Sequence, residues 1–230
     1  MAGAARTGEA GAAEDAQPPR RGRPRLEAPS PDFVARREEI LSAAVEVFHV
    51  KGYDAGTLED VAEALDLRRA SLYYYVRSKA HLLYMIFERA LDTALGKLEA
   101  YRAIEDPAAR LDALIRHQVL MVANEPSLFT VFFDHRPRLN ERYEEAIRSR
   151  ERRYLSTIRE VVNDALEAGA LPGIEPRYAT QAIMGMASWT YKWFDPERHN
   201  AEEFAETCSR LILRRRAGRG GTGRKKPRAG

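Results

Sequence analysis

The chain has 230 residues, a net charge of +3 and a 44% hydrophobic fraction, which is enough for a packed core and excludes global disorder. The charge is uneven: residues 214–230 hold eight basic and no acidic side chains, residues 1–32 hold five of each sign, and the core between them is net negative. The one cysteine, Cys208, excludes an internal disulfide; with no leader-like apolar start and no bilayer-length apolar run, a soluble cytoplasmic protein is expected.

Residues 1–32, rich in Ala, Gly, Pro and Arg without apolar periodicity, read as a disordered arm. A first helix over 36–50 puts Ile40, Leu41, Ala44, Val45 and Phe48 on one face, and Lys51-Gly52 supplies a stop. Thr57-Leu-Glu-Asp60 opens a second helix with a capping-box pattern ahead of Val61, Ala62 and Leu65. A short third helix is predicted over 68–75, and Ser78 is the N-cap of a long fourth carrying Leu82, Leu83, Ile86, Phe87 and Leu91.

Beyond it, Pro107, Pro126, Pro137, Pro172 and Pro196 divide the chain into helices near 108–123, 127–134, 139–168, 176–194 and 201–215. Gly169 stands where a C′ glycine ends the longest of these. No alternating β-branched run marks a strand. The fold expected is all-α with about nine helices. It divides into an arm (1–32), a three-helix DNA-binding domain (33–80), a helical ligand-binding and dimerisation domain (81–213) and a disordered basic tail (214–230).

Three short helices within the first ordered fifty residues match a helix-turn-helix, whose third helix can enter a major groove. Arg68, Arg69, Arg77 and Lys79 lie there with no acid between residues 67 and 87, and Tyr73, Tyr74 and Tyr75 interleave with them. Guanidinium groups fork onto guanine edges, while hydroxyls and ammonium groups reach phosphates. Leu72 and Val76, four apart, are predicted to face inward. Successive side chains on a helix diverge by about 100°, so the three tyrosines cannot all follow them. Lys79 in a helix's first turn opposes the macrodipole, which is understandable if a phosphate approaches.

The run from Thr57 to Lys79, TLEDVAEALDLRRASLYYYVRSK, resembles the N-terminal signature of the TetR family of transcriptional regulators. The resemblance implies phosphate contacts from Thr57, Tyr73 and Lys79. It implies groove or base-edge contacts from Arg69, Ser71 and Tyr74, beside Arg68, with Tyr75 where the family often has a DNA-contacting His. Asp66 departs from the glycine usual in the turn; Asp tolerates the left-handed conformation better than most residues. In the arm, Arg21-Gly-Arg23-Pro-Arg25 resembles an AT-hook core, which implies either minor-groove insertion or plain phosphate attraction.

The same family resemblance implies a C-terminal domain that binds a small effector and pairs two subunits through its last two helices. Ile183, Met186, Ala187, Thr190, Phe204, Cys208, Leu211 and Ile212 supply faces for such a homodimer, or else for the core of one chain. Trp189-Thr-Tyr-Lys-Trp193, followed by Phe-Asp-Pro196, resembles acyl-CoA-responsive TetR-type regulators of lipid and steroid catabolism. Phe129, Phe132, Phe133, Met184, Met186, Trp189 and Trp193 are candidates for an apolar slot. Arg148, Arg150, Arg152 and Arg153 either meet CoA phosphates or pair with Glu144, Glu145 and Glu151.

No enzyme is expected. The five histidines lack metal spacing, no glycine-rich phosphate loop is present, and Asp134-His135 reads as a polar helix end. No cofactor is expected beyond the effector. The function implied is a repressor that binds a palindromic operator as a dimer and is released by an acyl-CoA thioester. It would be a bacterial cytoplasmic protein associated with the nucleoid. The alternatives are a helical acyl-CoA-binding protein with loose nucleic-acid attraction through its basic tails, and an architectural DNA-binding protein using both arms.

Overall fold

A computed structural model describes residues 30–213, and within them the chain is wholly helical. The arm with Arg21 and Arg23 and the tail 214–230 lie outside the described residues. In chain order the helices are α1 (Pro31–Ala55), α2 (Leu58–Glu63), α3 (Arg69–Leu72), α4 (Lys79–Tyr101), α5 (Pro107–Asn124), α6 (Pro126–Asp134), α7 (Glu141–Glu167), α8 (Pro176–Ser188) and α9 (Ala201–Leu213). Short 3-10 turns follow α6 at Arg136–Arg138 and α8 at Trp189–Lys192.

Local chemistry explains most boundaries. Ser30 caps α1 by accepting from the Phe33 amide at 3.2 Å, with Pro31 at the first helical position, so α1 begins earlier than residue 36. Gly52 breaks α1 as its sequence suggests, with φ 76° and ψ 157°, before one further turn ends at Ala55. Asp106 and Asn140 cap α5 and α7 in the same manner as Ser30. Gly169, at φ 76°, ends α7, and the Ala170 amide reaches back to the Ala165 carbonyl at 2.8 Å.

Two cores share α4 as a common beam. Leu82, Leu83, Ile86 and Phe87 pack with Ile40, Leu41 and Phe48 of α1, Val61 of α2, Leu72 of α3 and Phe132 of α6. Two turns further on, Ala94, Leu95 and Leu98 pack with Leu114 of α5, Ile158 of α7, Ile183 of α8 and Cys208 of α9. Burying one such side chain removes roughly 1.5–3 kcal/mol worth of apolar surface from water. α6 therefore belongs with α1 as much as with the helices that follow it, an association that no local sequence pattern announces.

The residues read as a dimer stripe mostly face inward. Ile183, Ala187, Thr190 and Cys208 are at most 2% exposed within one chain. The large apolar residues most exposed on this end are Tyr178, Trp189 and Leu211, with Ile174 and Trp193 less so, and Ala182 and Gly185 lie between Tyr178 and Trp189 on the same α8 face.

Candidate nucleic-acid interface and effector cavity

The helix-turn-helix is assembled from short-range contacts. The Thr57 hydroxyl accepts from the Asp60 amide at 3.1 Å, and the Asp60 carboxylate accepts from the Thr57 amide at 2.8 Å, a complete capping box. Lys51 donates to the same carboxylate, and these hydrogen bonds, the lysine's foremost, hold Asp60 down to a pKa of about 2. Asp66 takes φ 53°, the only non-glycine residue in the left-handed region among the described residues, so the chain reverses where the family has glycine. The Leu67 amide closes the turn on the Ala62 carbonyl at 2.8 Å.

α3 is shorter than its sequence predicts. Regular helix ends at Leu72, and Tyr73, Tyr74 and Tyr75 form a turn in which the Tyr75 amide bonds the Leu72 carbonyl at 2.9 Å. The tighter turn brings Tyr75 back onto Phe33 of α1, rings stacked at 4.9 Å. Tyr75 is thus half-buried against α1, whereas Tyr74 stands 75% exposed, edge-on to both rings. Leu72 and Val76 are fully buried, as their spacing implies.

Arg68, Arg69, Ser71, Tyr73 and Tyr74 are all exposed. Arg69 is ion-paired with Glu59 of α2 and donates to the Tyr73 hydroxyl at 3.0 Å. Lys79 has a local partner too: its ammonium donates to the Asp54 carbonyl at 3.0 Å, over the Tyr53 ring at 4.5 Å. The carbonyl end of α1 thus compensates a cation placed at the start of α4.

In the other half, an apolar cavity of about 240 Å³ opens between α4, α5, α6, α7 and α8. Phe129, Phe132 and Phe133 wall it, joined by Met184, Tyr154 and Gln118. Met186, Trp189, Trp193, Arg150 and Arg153 are not among its walls. Arg150 instead pairs with Glu88 and Asp92, Arg148 with Glu144 and Glu145, and Arg152 with Glu145, while Arg153 points to solvent. Trp193 stacks edge-on against Phe204 at 4.9 Å, and Trp189 is 63% exposed.

A wider polar cleft of about 970 Å³ adjoins the cavity, and Ala90, Met121 and Phe129 line both. Arg89, Lys97, Arg116 and His117 line the cleft together with Glu38, Asp112, Glu125 and Glu202, and Arg89 is ion-paired with Glu38, Arg116 with Glu202 and Glu206. Burial, with Lys97 nearby, lowers the His117 pKa to about 4, so the imidazole is neutral at physiological pH. Gln118, Tyr154 and these three cations escape a sequence reading because they meet only through the packing of separate helices. Among the described residues there is no group of three His, Cys, Asp or Glu fit to hold a metal ion, and no helix long and apolar enough to cross a membrane.

The cavity and the helix-turn-helix are joined through α6. Its phenylalanines wall the cavity and it packs along α1; at its end the His135 ring lies 6.2 Å from Tyr53. Just beyond, Arg138 donates to the Asp54 carboxylate at 2.6 Å, beside the carbonyl that holds Lys79.

Residues 40–84 match the family described as bacterial regulatory proteins, tetR family, and residues 105–215 match the tetracyclin repressor-like C-terminal domain. The chain is similar in structure to a transcriptional regulator of the TetR/AcrR family from Thermobifida fusca YX-ER1, at 32% identity and a TM-score of 0.63, covering 78% of this chain and 97% of that one. It is also similar to AibR, solved in complex with isovaleryl coenzyme A and operator DNA, at 26% identity and a TM-score of 0.69, covering 77% and 98%. In sequence it is 29% identical over 176 residues to the HTH-type transcriptional repressor KstR2 of Rhodococcus jostii strain RHA1, covering 70% of this chain and 80% of that one. With a further group of curated HTH-type regulators it is 31% identical but spans only 46% of their length, about half.

Proposed function

Since the chain belongs to the TetR family of transcriptional regulators, we propose that it is a repressor that binds a palindromic operator as a homodimer and leaves it when an acyl-CoA thioester enters the C-terminal cavity. The observation that carries this reading is the double placement of α6, against the cavity on one side and along α1 on the other. An occupant that displaces Phe129, Phe132 or Phe133 also moves a helix on which the DNA-binding domain rests. The shift it can cause is limited by its difference in affinity for the two arrangements.

On the DNA side, Arg69, Ser71 and Tyr74 read base edges, while Thr57, Arg68, Tyr73 and Lys79 hold phosphates. Tyr75 supports Tyr74 from behind rather than reaching the groove. The Arg69–Glu59 pair is exposed and contributes little to stability, so its exchange for a guanine edge costs little. Tyr178, Ala182, Gly185, Trp189 and Leu211 form the dimer face, small residues letting α8 approach its copy closely. Arg21 and Arg23 add minor-groove or phosphate affinity from the arm.

On the effector side, the apolar cavity takes the acyl group, and the adjoining cleft takes the anionic part of coenzyme A beside Lys97, its phosphates displacing Glu38 from Arg89 and Glu202 and Glu206 from Arg116. AibR, with isovaleryl coenzyme A bound, supports this class of effector. The protein acts in the cytoplasm by binding rather than by catalysis. DNase footprinting on the DNA upstream of its own gene tests the DNA assignment. One protected palindrome is expected at ~150 mM salt, weakened roughly ten- to hundred-fold by Arg69→Ala or Tyr74→Ala. Equal affinity for every sequence would contradict it.

A further inference from the structure

The cavity wall is mainly apolar, with Gln118, Glu151, Tyr154 and Ser188 as its polar members, and Gln118 is only 1% exposed. Its Oε1 accepts a hydrogen bond from the Tyr154 hydroxyl at 2.6 Å. Its Nε2 has no acceptor within hydrogen-bond distance. A buried amide nitrogen stripped of water and left unpaired is unfavourable, and such groups usually have an occupant to meet. The other buried side-chain nitrogen in this position, Nε2 of His117, belongs to the neighbouring cleft.

We propose that Gln118 is a specificity-determining residue whose Nε2 donates to a carbonyl oxygen of the effector, and that the cavity accepts a short acyl group and excludes large ring systems. The inference rests on the assignment of this cavity to the effector. Tyr154 is a positioning residue: it touches no effector atom but holds the amide with its donor end free. The other polar wall residues are engaged elsewhere, Glu151 by Arg136 and the Ser188 hydroxyl by the Gly185 carbonyl at 3.4 Å, so among the described wall residues Gln118 carries the buried donor left without an acceptor. The volume of about 240 Å³ holds roughly eight groups of water or methylene size, so a fused four-ring skeleton does not fit. Gln118 and Met121 lie one helical turn apart on α5, and Met121 stands where the cavity meets the cleft. A carbonyl held by Gln118 therefore lies near the passage through which a thioester would continue towards the cleft.

Calorimetry on the full chain with hexanoyl-CoA and with its carbonyl-free thioether, S-hexyl-CoA, tests this, accompanied by the small pair 2-heptanone and heptane. Wild type is expected to bind the thioester roughly ten- to hundred-fold more tightly than the thioether. Gln118→Leu, which removes the unpaired donor but also the acceptor of the Tyr154 hydroxyl, should bind both CoA compounds within about two-fold, and Gln118→Leu combined with Tyr154→Phe, which leaves no orphaned hydroxyl, should do the same. Tyr154→Phe should reduce the thioester preference while leaving the thioether affinity unchanged, which a loss of fold would not do. Dodecanoyl-CoA should bind more weakly than hexanoyl-CoA. Equal affinity for thioester and thioether in wild type, or an undiminished preference in Gln118→Leu, would overturn the assignment and leave the acyl-CoA reading standing. If neither CoA compound binds but the ketone binds better than the alkane, the acyl-CoA reading falls and the role of Gln118 stands. Binding of none of the four overturns both.

Discussion

Between residues 57 and 79 most side chains with a proposed role face water and are held by near neighbours in sequence, Lys79 on the Asp54 carbonyl and Tyr75 on Phe33 being the exceptions. Around the cavity they face inward and come from five helices that meet only when the chain has folded. Thr57 and Asp60 cap one another across three residues, Asp66 makes its own turn, and Arg69 leans on Tyr73 four residues on. Gln118 and Tyr154, by contrast, meet across 36 residues of sequence, and Phe129 reaches the same cavity from a third helix. The difference teaches where each kind of site is sensitive: the DNA surface to loss of a single exposed group, the cavity to anything that moves a helix.

The largest expected effect lies where the two regions join. Phe87 is fully buried on α4, and its ring centroid is 4.8 Å from that of Phe132 on α6. Phe87→Ala is expected to cost about 3–5 kcal/mol in chemical denaturation, and a loss under ~1 kcal/mol would show that α6 is only loosely attached.

Next comes acid. His117 is held neutral in the fold down to a pKa of about 4, whereas the unfolded imidazole ionises near its ordinary value of 6.5. Between these values the unfolded chain binds more protons, so stability falls as pH drops from 6.5 towards 4 and is undiminished by this group above 6.5. The contribution reaches about 3 kcal/mol at most. Urea melts should show a shallower dependence on pH in that window for His117→Phe than for wild type, and identical slopes would remove His117 as the cause.

A smaller effect belongs to the exposed half. Thr57→Ala should destabilise the protein by about 1 kcal/mol, and Thr57→Asn, which can still cap, by only a few tenths. Smallest in stability is Arg138→Ala, expected to cost below about 1 kcal/mol because the pair with Asp54 is exposed. Its readout is different: the effector should weaken operator binding less in this variant than in wild type, whereas unchanged coupling would exclude Arg138 from the route.

Legibility followed the same division. The capping box, the left-handed Asp66, the inward Leu72 and Val76, and the stops at Gly52 and Gly169 could all be read locally, since each depends on residues within about one turn. The length of α3 could not, because Phe33, forty residues earlier, draws Tyr75 out of helical register. The two tryptophans looked like cavity walls because size and aromaticity suggest burial, yet Trp189 lies on an outer face. Four arginines on α7 looked available to phosphates, and three are engaged by carboxylates, those of Arg150 from α4. Gln118 gave no signal at all: a glutamine in an amphipathic helix reads as surface until α7 brings Tyr154 against it.

On the proposed function, these two regions are energetically coupled through α6. Reciprocal titration tests it most directly: operator affinity measured by fluorescence anisotropy with and without saturating hexanoyl-CoA, and hexanoyl-CoA affinity measured by calorimetry with and without operator. Each ligand is expected to weaken binding of the other by the same factor, roughly 5- to 150-fold. Both ligands binding with no effect on one another would contradict it.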